Sequence, residues 1–202
     1  MCSMWKAWIR EAPLGTEAIL RRCGRLADGL SLHRMPSQVD GHHAGPKLNA
    51  ARILGNPKRP LAITVDSNEQ RPLGMPAEYA TCEKRKLANG DYALAGDDWV
   101  IERKSVDDLI GSIISGHLAD QLKRMREQHG DRLSVLVVDG DKDEFARWPW
   151  ASRTKRATCA WAFSELYRMA YEYRVCVDWN PSRAWAAMSV WRWLRTRSKE
   201  KG

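Results

Sequence analysis

Four side chains near the middle of the chain are of the types that phosphate-ester hydrolysis needs: Asp66, Asp91, Glu102 and Lys104. Asp66 closes the apolar run Leu61-Ala62-Ile63-Thr64-Val65. Asp91 sits in the Gly90-Asp91 turn before Tyr92-Ala93-Leu94, and Glu102 and Lys104 end the run that starts at Trp99-Val100-Ile101. Residues i and i+2 of a strand share a face, so Glu102 and Lys104 point to one side and Arg103 to the other. A hard divalent cation such as Mg2+ takes oxygen from one or two carboxylates and keeps positions for water and phosphate, a part that Asp91 and Glu102 suit. Such an ion stabilises charge developing on phosphorus and acidifies an attacking water. Lys104 beside it can orient that water or neutralise the transition state. A bare Glu-x-Lys is too common to carry this reading, because charged residues at strand ends are ordinary. The surrounding pattern has to carry it.

The elements that must position these groups follow from hydrophobic periodicity. Leu61 to Val65 reads as a buried strand, followed by strands near Tyr79 to Leu87, at Tyr92 to Leu94 and at Trp99 to Arg103, the last three in meander order. Val106, Leu109, Ile110 and Ile113 keep helical spacing, and a second helix runs from about Leu118 to Gln128 before Gly130. Leu133 to Val138 is an uninterrupted run rich in β-branched residues, which predicts a central strand covered on both faces. A helix around Ala157 to Tyr171, a strand Val175 to Val177 and a Trp-rich helix opening near Pro181-Ser182 complete the pattern. The order predicts an α/β fold with a mixed central sheet flanked by helices. Ahead of it, residues 1–60 combine helical patterning around Trp5, Trp8, Ile9, Ile19, Leu20, Cys23 and Leu26 with a Pro/Gly-rich linker from His33 to Pro60. The expected organisation is a short helical N-terminal extension and linker (1–60), one domain (61–197) and a tail (198–202). His42-His43 beside Asp40 reads as solvated loop rather than as a metal site.

Gly90-Asp91-Tyr92, a turn, then Val100-Ile101-Glu102-Arg103-Lys104-Ser105-Val106-Asp107-Asp108 closely resembles the signature of the XPF-type nucleases: Gly-Asp, a spacer, Glu-Arg-Lys, three residues, Asp. Val65-Asp66-Ser67-Asn68-Glu69 is similar to that family's opening Val-Asp-x-Arg-Glu, with Asn68 where the family usually has Arg. The resemblance implies a restriction-endonuclease-like, PD-(D/E)XK core that cuts DNA at junctions of double and single strands with Mg2+ or Mn2+. It implies Asp91 and Glu102 as metal ligands and Lys104 as the catalytic amine. Asp66 and Glu69 would shape the metal site or a second ion, with Asp66 a further ligand. Arg103 would contact the scissile phosphate or brace the site, and Asp108 would hold the catalytic loop. Members commonly carry a tandem helix–hairpin–helix module after the nuclease domain, for which these 202 residues leave no room. The chain is therefore similar to the compact stand-alone members of bacteria and their viruses.

Bulk properties agree with a polyanionic partner: 33 Lys and Arg against 25 Asp and Glu give a formal charge of +8. The tryptophan-bearing loop with Arg147, Arg153, Lys155 and Arg156 is a candidate for tracking a nucleic-acid backbone, although Trp148 and Trp150 also suit a cap on the core. Lys84, Arg85 and Lys86 precede the Gly90-Asp91 turn and are expected to rim the site and touch DNA. His117 and the helix from Lys123 to Arg126 read as solvated surface. Five scattered cysteines without Cys-x-x-Cys spacing argue against a disulfide framework or zinc site. No apolar run nears the ~18 residues of a membrane span and no signal peptide opens the chain, so a soluble intracellular protein is expected, cytoplasmic if prokaryotic or viral. No Walker or Gly-x-Gly-x-x-Gly loop occurs, which predicts no nucleotide cofactor. Trp185, Trp191 and Trp193 give the last helix two apolar sides. With the family's habit of dimerising there, this predicts a homodimer through the C-terminal helices. The competing readings are a DNA-binding scaffold that has lost catalysis, and a nuclease for RNA or for nucleic acid generally on the same core.

Overall fold

Near-continuous burial along the central strands and one-sided burial along the helices build a three-layer α/β arrangement. The computed structural model describes residues 59–153 and 157–200. In chain order the elements are β1 (Leu61–Asp66), β2 (Ala80–Arg85), β3 (Tyr92–Leu94) and β4 (Val100–Ser105), then α1 (Val106–Ser115) and α2 (His117–His129). They continue with β5 (Ser134–Asp139), α3 (Lys142–Arg147), α4 (Trp150–Arg153), α5 (Cys159–Glu172), β6 (Val175–Asn180) and α6 (Arg183–Glu200). The expected N-terminal extension and linker, Lys155 and Arg156 lie outside the described residues.

The six strands form one sheet in the order β2-β1-β3-β4-β5-β6. β3 runs antiparallel to β1 and β4, and the remaining pairs are parallel. The C-terminal ends of β1, β2, β4, β5 and β6 therefore share one rim with the start of β3. The meander expected for the second, third and fourth strands does not form, because β1 lies between β2 and β3. β3 is buried at all three positions and takes a neighbour on each edge, whereas β2 is exposed at every residue after Ala80. A charged stretch containing Glu83, Lys84 and Arg85 suits an edge strand, not a central one.

Two apolar layers lie on opposite faces of the sheet. On one side Val100, Leu136 and Val138 pack with Leu109, Ile110 and Ile113 of α1, Leu118, Leu122 and Met125 of α2, Phe145 of α3, and Leu166 of α5. On the other, Ile63, Val65, Tyr92, Ile101, Val135 and Val137 pack with Ala186, Ala187, Val190, Trp191 and Leu194 of α6. β5 divides its valines and leucine between both layers, as the unbroken apolar run predicted. Ser105 caps α1, its hydroxyl accepting from the Asp108 N–H, and Gly116 at φ 82° turns the chain from α1 into α2.

Along α6, Ala184 is exposed, while Ala186 and Val190 are fully covered against the sheet. Trp191 stands edge-on to Tyr79, with ring centroids 5.6 Å apart, and its indole N–H donates to the Tyr79 carbonyl at 2.8 Å. The Trp193 indole N–H donates to Asp178 Oδ2 of β6 at 2.8 Å. Among the described residues no helix is long and apolar enough to cross a membrane.

Candidate active site

Strand parity puts Asp66, Asp91, Glu102 and Lys104 on the face covered by α1 and α2, since their strand neighbours Val65, Tyr92 and Ile101 all point to the α6 layer. Lys104 Nζ is 3.1 Å from Glu102 Oε1, and both side chains are nearly buried, Glu102 at 4% and Lys104 at 9% exposure. Asp91 is pinned on both sides. Its N–H donates to the Ile101 carbonyl at 2.8 Å, and its own carbonyl accepts from the Asp66 N–H at 2.8 Å. Its carboxylate Oδ2 accepts from the Arg103 N–H at 2.7 Å. The preceding residue has to be glycine: Gly90 is at φ +71°, and a Cβ there would lie 2.7 Å from Val100 Cγ2. Asp66 Oδ1 accepts from the Leu87 N–H at 2.9 Å, and Lys86 Nζ lies 3.8 Å from Asp66 Oδ2.

These carboxylates share a cleft of about 290 Å3, which Asp66, Asp91 and Glu102 line together with Lys86, the 87–90 turn, and Gln121 and Arg124 of α2. Burial, then the nearby Glu102 charge, pushes the Asp91 carboxyl up to about 8, against the opposing pull of the Arg103 N–H. Glu102 is raised too, by its own burial, with Lys104 and Gln121 drawing it back. Gln121 Nε2 donates to Glu102 Oε1 at 3.1 Å, and Gln121 Oε1 is buried without a hydrogen-bond partner among the described residues. Two crowded, poorly hydrated carboxylates and a buried amide oxygen with nothing to accept from fit a hydrated divalent cation. Among the described residues no three His, Cys, Asp or Glu side chains gather to hold an ion by themselves. An all-oxygen set of this kind is one that Mg2+ or Mn2+ can use, completing their shells with water and substrate oxygen.

The other sequence candidates are dispersed. Glu69 is half-buried, accepts from the Arg71 N–H at 2.7 Å, and contributes repulsion at Asp91 and Glu102. Arg103 points to the α6 layer and pairs with Asp139 of β5, which Arg183 of α6 also approaches at 3.3 Å. Asp108 accepts from the Ser105 hydroxyl at 2.6 Å, bracing the start of α1 directly after Lys104. Arg85 shares the face of Asp66, whereas Lys84 pairs with Val65 and belongs to the opposite face. Arg147 is exposed. Arg153 lies 5.4 Å over the Trp148 ring and 3.7 Å from Asp107, while Trp150 is buried in the core. Sequence reasoning missed Gln121, Arg124 and Asp139. The spacing 121, 124, 128 on α2 is a polar helical stripe, the one signal that pointed to the first two.

The ERCC4 domain matches residues 65–192, from β1 into α6. The chain belongs to the ERCC4-domain family of XPF-type nucleases. This ERCC4 domain is 36% identical over 85 residues to a Methanocaldococcus jannaschii protein named as an ATP-dependent RNA helicase, a match covering 42% of this chain and 10% of that one. It is 36% identical over 62 residues to the 3′-flap repair endonuclease Xpf of Saccharolobus solfataricus, covering 31% and 25%. The matches thus span a tenth and a quarter of these relatives' lengths. In fold, the domain is similar to XPF from Aeropyrum pernix in complex with DNA, with a TM-score of 0.56 at 20% identity over 69% of this chain and 66% of that one. A second structure of XPF from Aeropyrum pernix gives a TM-score of 0.53 at 20% identity, over 68% and 65%. The restriction-endonuclease-like α/β core expected from the sequence is the fold observed.

Proposed function

We propose that this ERCC4-domain protein is an endonuclease that hydrolyses DNA phosphodiester bonds where double and single strands meet, in repair, recombination or replication, and that it depends on Mg2+ or Mn2+. The observation that carries the reading is the convergence of Asp91 and Glu102 in one cleft, with Lys104 paired to Glu102 on the same face of the sheet. Asp91 and Glu102 would hold the ion, with Asp66 at the margin because its Oδ1 is occupied by Leu87. When bound, the ion supplies Lewis acidity toward the phosphate and a more acidic water. Lys104, kept beside Glu102, orients the attacking water or neutralises charge on the non-bridging oxygens. Gln121 fixes the Glu102 rotamer, and the Arg103 N–H fixes that of Asp91. Lys84, Arg85, Lys86, Arg147 and Arg153, with Lys155 and Arg156, supply positive charge for the DNA backbone. The flap endonuclease among the relatives supports a branched substrate, and the A. pernix complex supports DNA as the partner.

The deciding experiment is incubation of the purified protein with flap, fork, Holliday and linear DNA in Mg2+, Mn2+ or chelator. Cutting of branched DNA only with metal is expected. Binding of DNA without cutting under every condition would establish the scaffold reading instead. A homodimer through α6 belongs to the same proposal. Trp191 and Trp193 are engaged within the chain, so the contact narrows to the half-exposed flank around Trp185. Sedimentation at micromolar protein is expected to give twice the chain mass, and Trp185→Glu to halve it.

A further inference from the structure

We infer that Arg124 of α2, facing Lys86 across the cleft, grips the DNA backbone beside the phosphate presented to Asp91, Glu102 and Lys104. This deepens the nuclease reading and rests on it. Both cations line the cleft that holds the carboxylates. The acids are sunk, with Asp66 at 7% and Glu102 at 4% exposure, while Lys86 and Arg124 are exposed. The cleft therefore has an acidic floor and a basic rim. An acidic floor repels a polyanion, so a strand approaches it only where the rim attracts the neighbouring phosphates.

Arg124 is also aimed. Gln128 Oε1 accepts from Asn89 Nδ2 at 2.7 Å, which turns Asn89 Oδ1 toward Arg124, and Arg124 Nε donates to it at 3.3 Å. That single neutral contact leaves the terminal guanidinium nitrogens free to fork onto phosphate oxygens. Among the described residues Arg124 has no carboxylate partner, although Arg126 on the same helix is paired with Asp131 at 3.0 Å. The helix thus spends one arginine on its own surface and holds the other, uncompensated, over the cleft.

The test uses the full chain. DNA affinity is measured against salt in an Asp91→Asn background, and steady-state cleavage in the otherwise unmodified protein, each with and without Arg124→Gln. Arg124→Gln is expected to weaken binding and raise KM about tenfold, with kcat changed less than about threefold, and to reduce the slope of log affinity against log salt by about 0.9, one phosphate contact. Arg124→Lys is expected to restore the salt slope but only part of the affinity, since it keeps the charge and loses the fork. The melting temperature shift produced by Mn2+ stays the same in Arg124→Gln. If the unmodified protein cuts DNA and Arg124→Gln leaves KM and the salt slope unchanged, the inference is overturned and the nuclease reading stands. A fall in kcat alone would also overturn it, since Arg124 would then act through the Asn89 turn. An unmodified protein that cuts no DNA in any metal overturns the nuclease reading, while a reduced salt slope in Arg124→Gln would still support the grip.

Discussion

A carboxyl that keeps its proton to about pH 8 is costly to ionise where it stands, and Asp91 stays in that position because neighbouring backbone groups hold it there. Asn is neutral at every pH and its amide oxygen can still accept from the Arg103 N–H, so Asp91→Asn is expected to melt no lower than the unmodified protein in chelator. With the proposed ion bound, the unmodified protein is expected to gain stability from Mn2+ by mass action, about 2.7 kcal/mol at a hundred times the dissociation constant, and Asp91→Asn is expected to lose that gain in a thermal melt. In cleavage assays Asp91→Ala, Glu102→Ala and Lys104→Ala are each expected to lose at least about 100-fold in rate while remaining folded by circular dichroism. Near-normal cutting by Glu102→Ala in Mg2+ would sink the assignment. The pairing of Glu102 with Lys104 was legible from the sequence, because i and i+2 in a strand have no choice of face. Gln121 and Arg124 were not, since a polar residue on an amphipathic helix looks the same whether it faces solvent or an active-site cleft. Asp139 was hidden for a similar reason: one acid at a strand end says nothing about which strand lies beside it.

Among the elements, the turn before β3 carries the most consequence for its size. Gly90→Ala places a methyl against Val100 and forces an unfavourable φ, so it is expected to cost about 1–3 kcal/mol in urea unfolding and to displace Asp91, lowering activity beyond what the stability loss explains. The strands themselves were found by their periodicity, to within a few residues. Their order was not, because pairing depends on which edges are buried, and β2 differs from β3 in exposure rather than in period. α1 and α2 were read well for the same physical reason that β5 was, since Leu109, Ile110, Leu118 and Leu122 have one buried side each and no alternative layer to join, whereas α3 and α4 fall where the sequence reading expected a loop. α6 was read less well, since its tryptophans suggested two apolar faces. The sheet takes Trp191, and an aspartate on β6 takes the polar end of Trp193.

At the scale of the whole molecule, acid sensitivity is expected to start at His129, which is 2% exposed and held neutral. Its Nε2 accepts from the Val100 N–H at 3.0 Å, so Nδ1 carries the proton and faces Ser134 Oγ at 2.8 Å. Burial, then the neighbouring Arg132, lowers it to about 4 from an ordinary 6.5. The unfolded chain therefore takes up a proton below pH 6.5 that the folded protein refuses until about pH 4. Stability is full above that window and is expected to fall by about 3 kcal/mol as pH drops through it, about 2 kcal/mol of it by pH 5, a loss that His129→Gln should reduce in melts at pH 7 and pH 5. The net charge of +8 is unevenly spread. Arg85 and Lys86 stand beside Asp66 at the β2 edge, with Lys84 on the opposite face, whereas Asp139, Asp141, Asp143 and Glu144 cluster in sequence at the end of β5 and the start of α3. Changing the three cations to Ala is expected to flatten the salt dependence of DNA binding more than Arg153→Ala, whose charge Asp107 already meets. The last helix ties down the earliest described parts of the chain: Trp191 bonds Tyr79, Arg183 bonds the Arg71 and Pro72 carbonyls, and Arg197 bonds Asp97. During synthesis, a nascent chain that has emerged only as far as Asn180 holds the residues of every strand but lacks α6, which supplies Ala186, Ala187, Val190, Trp191 and Leu194 to the layer over Ile63, Tyr92 and Val137. Much of one sheet face is thus left bare until α6 emerges, and its exposure to chaperones and to misassembly is set by how quickly α6 is translated.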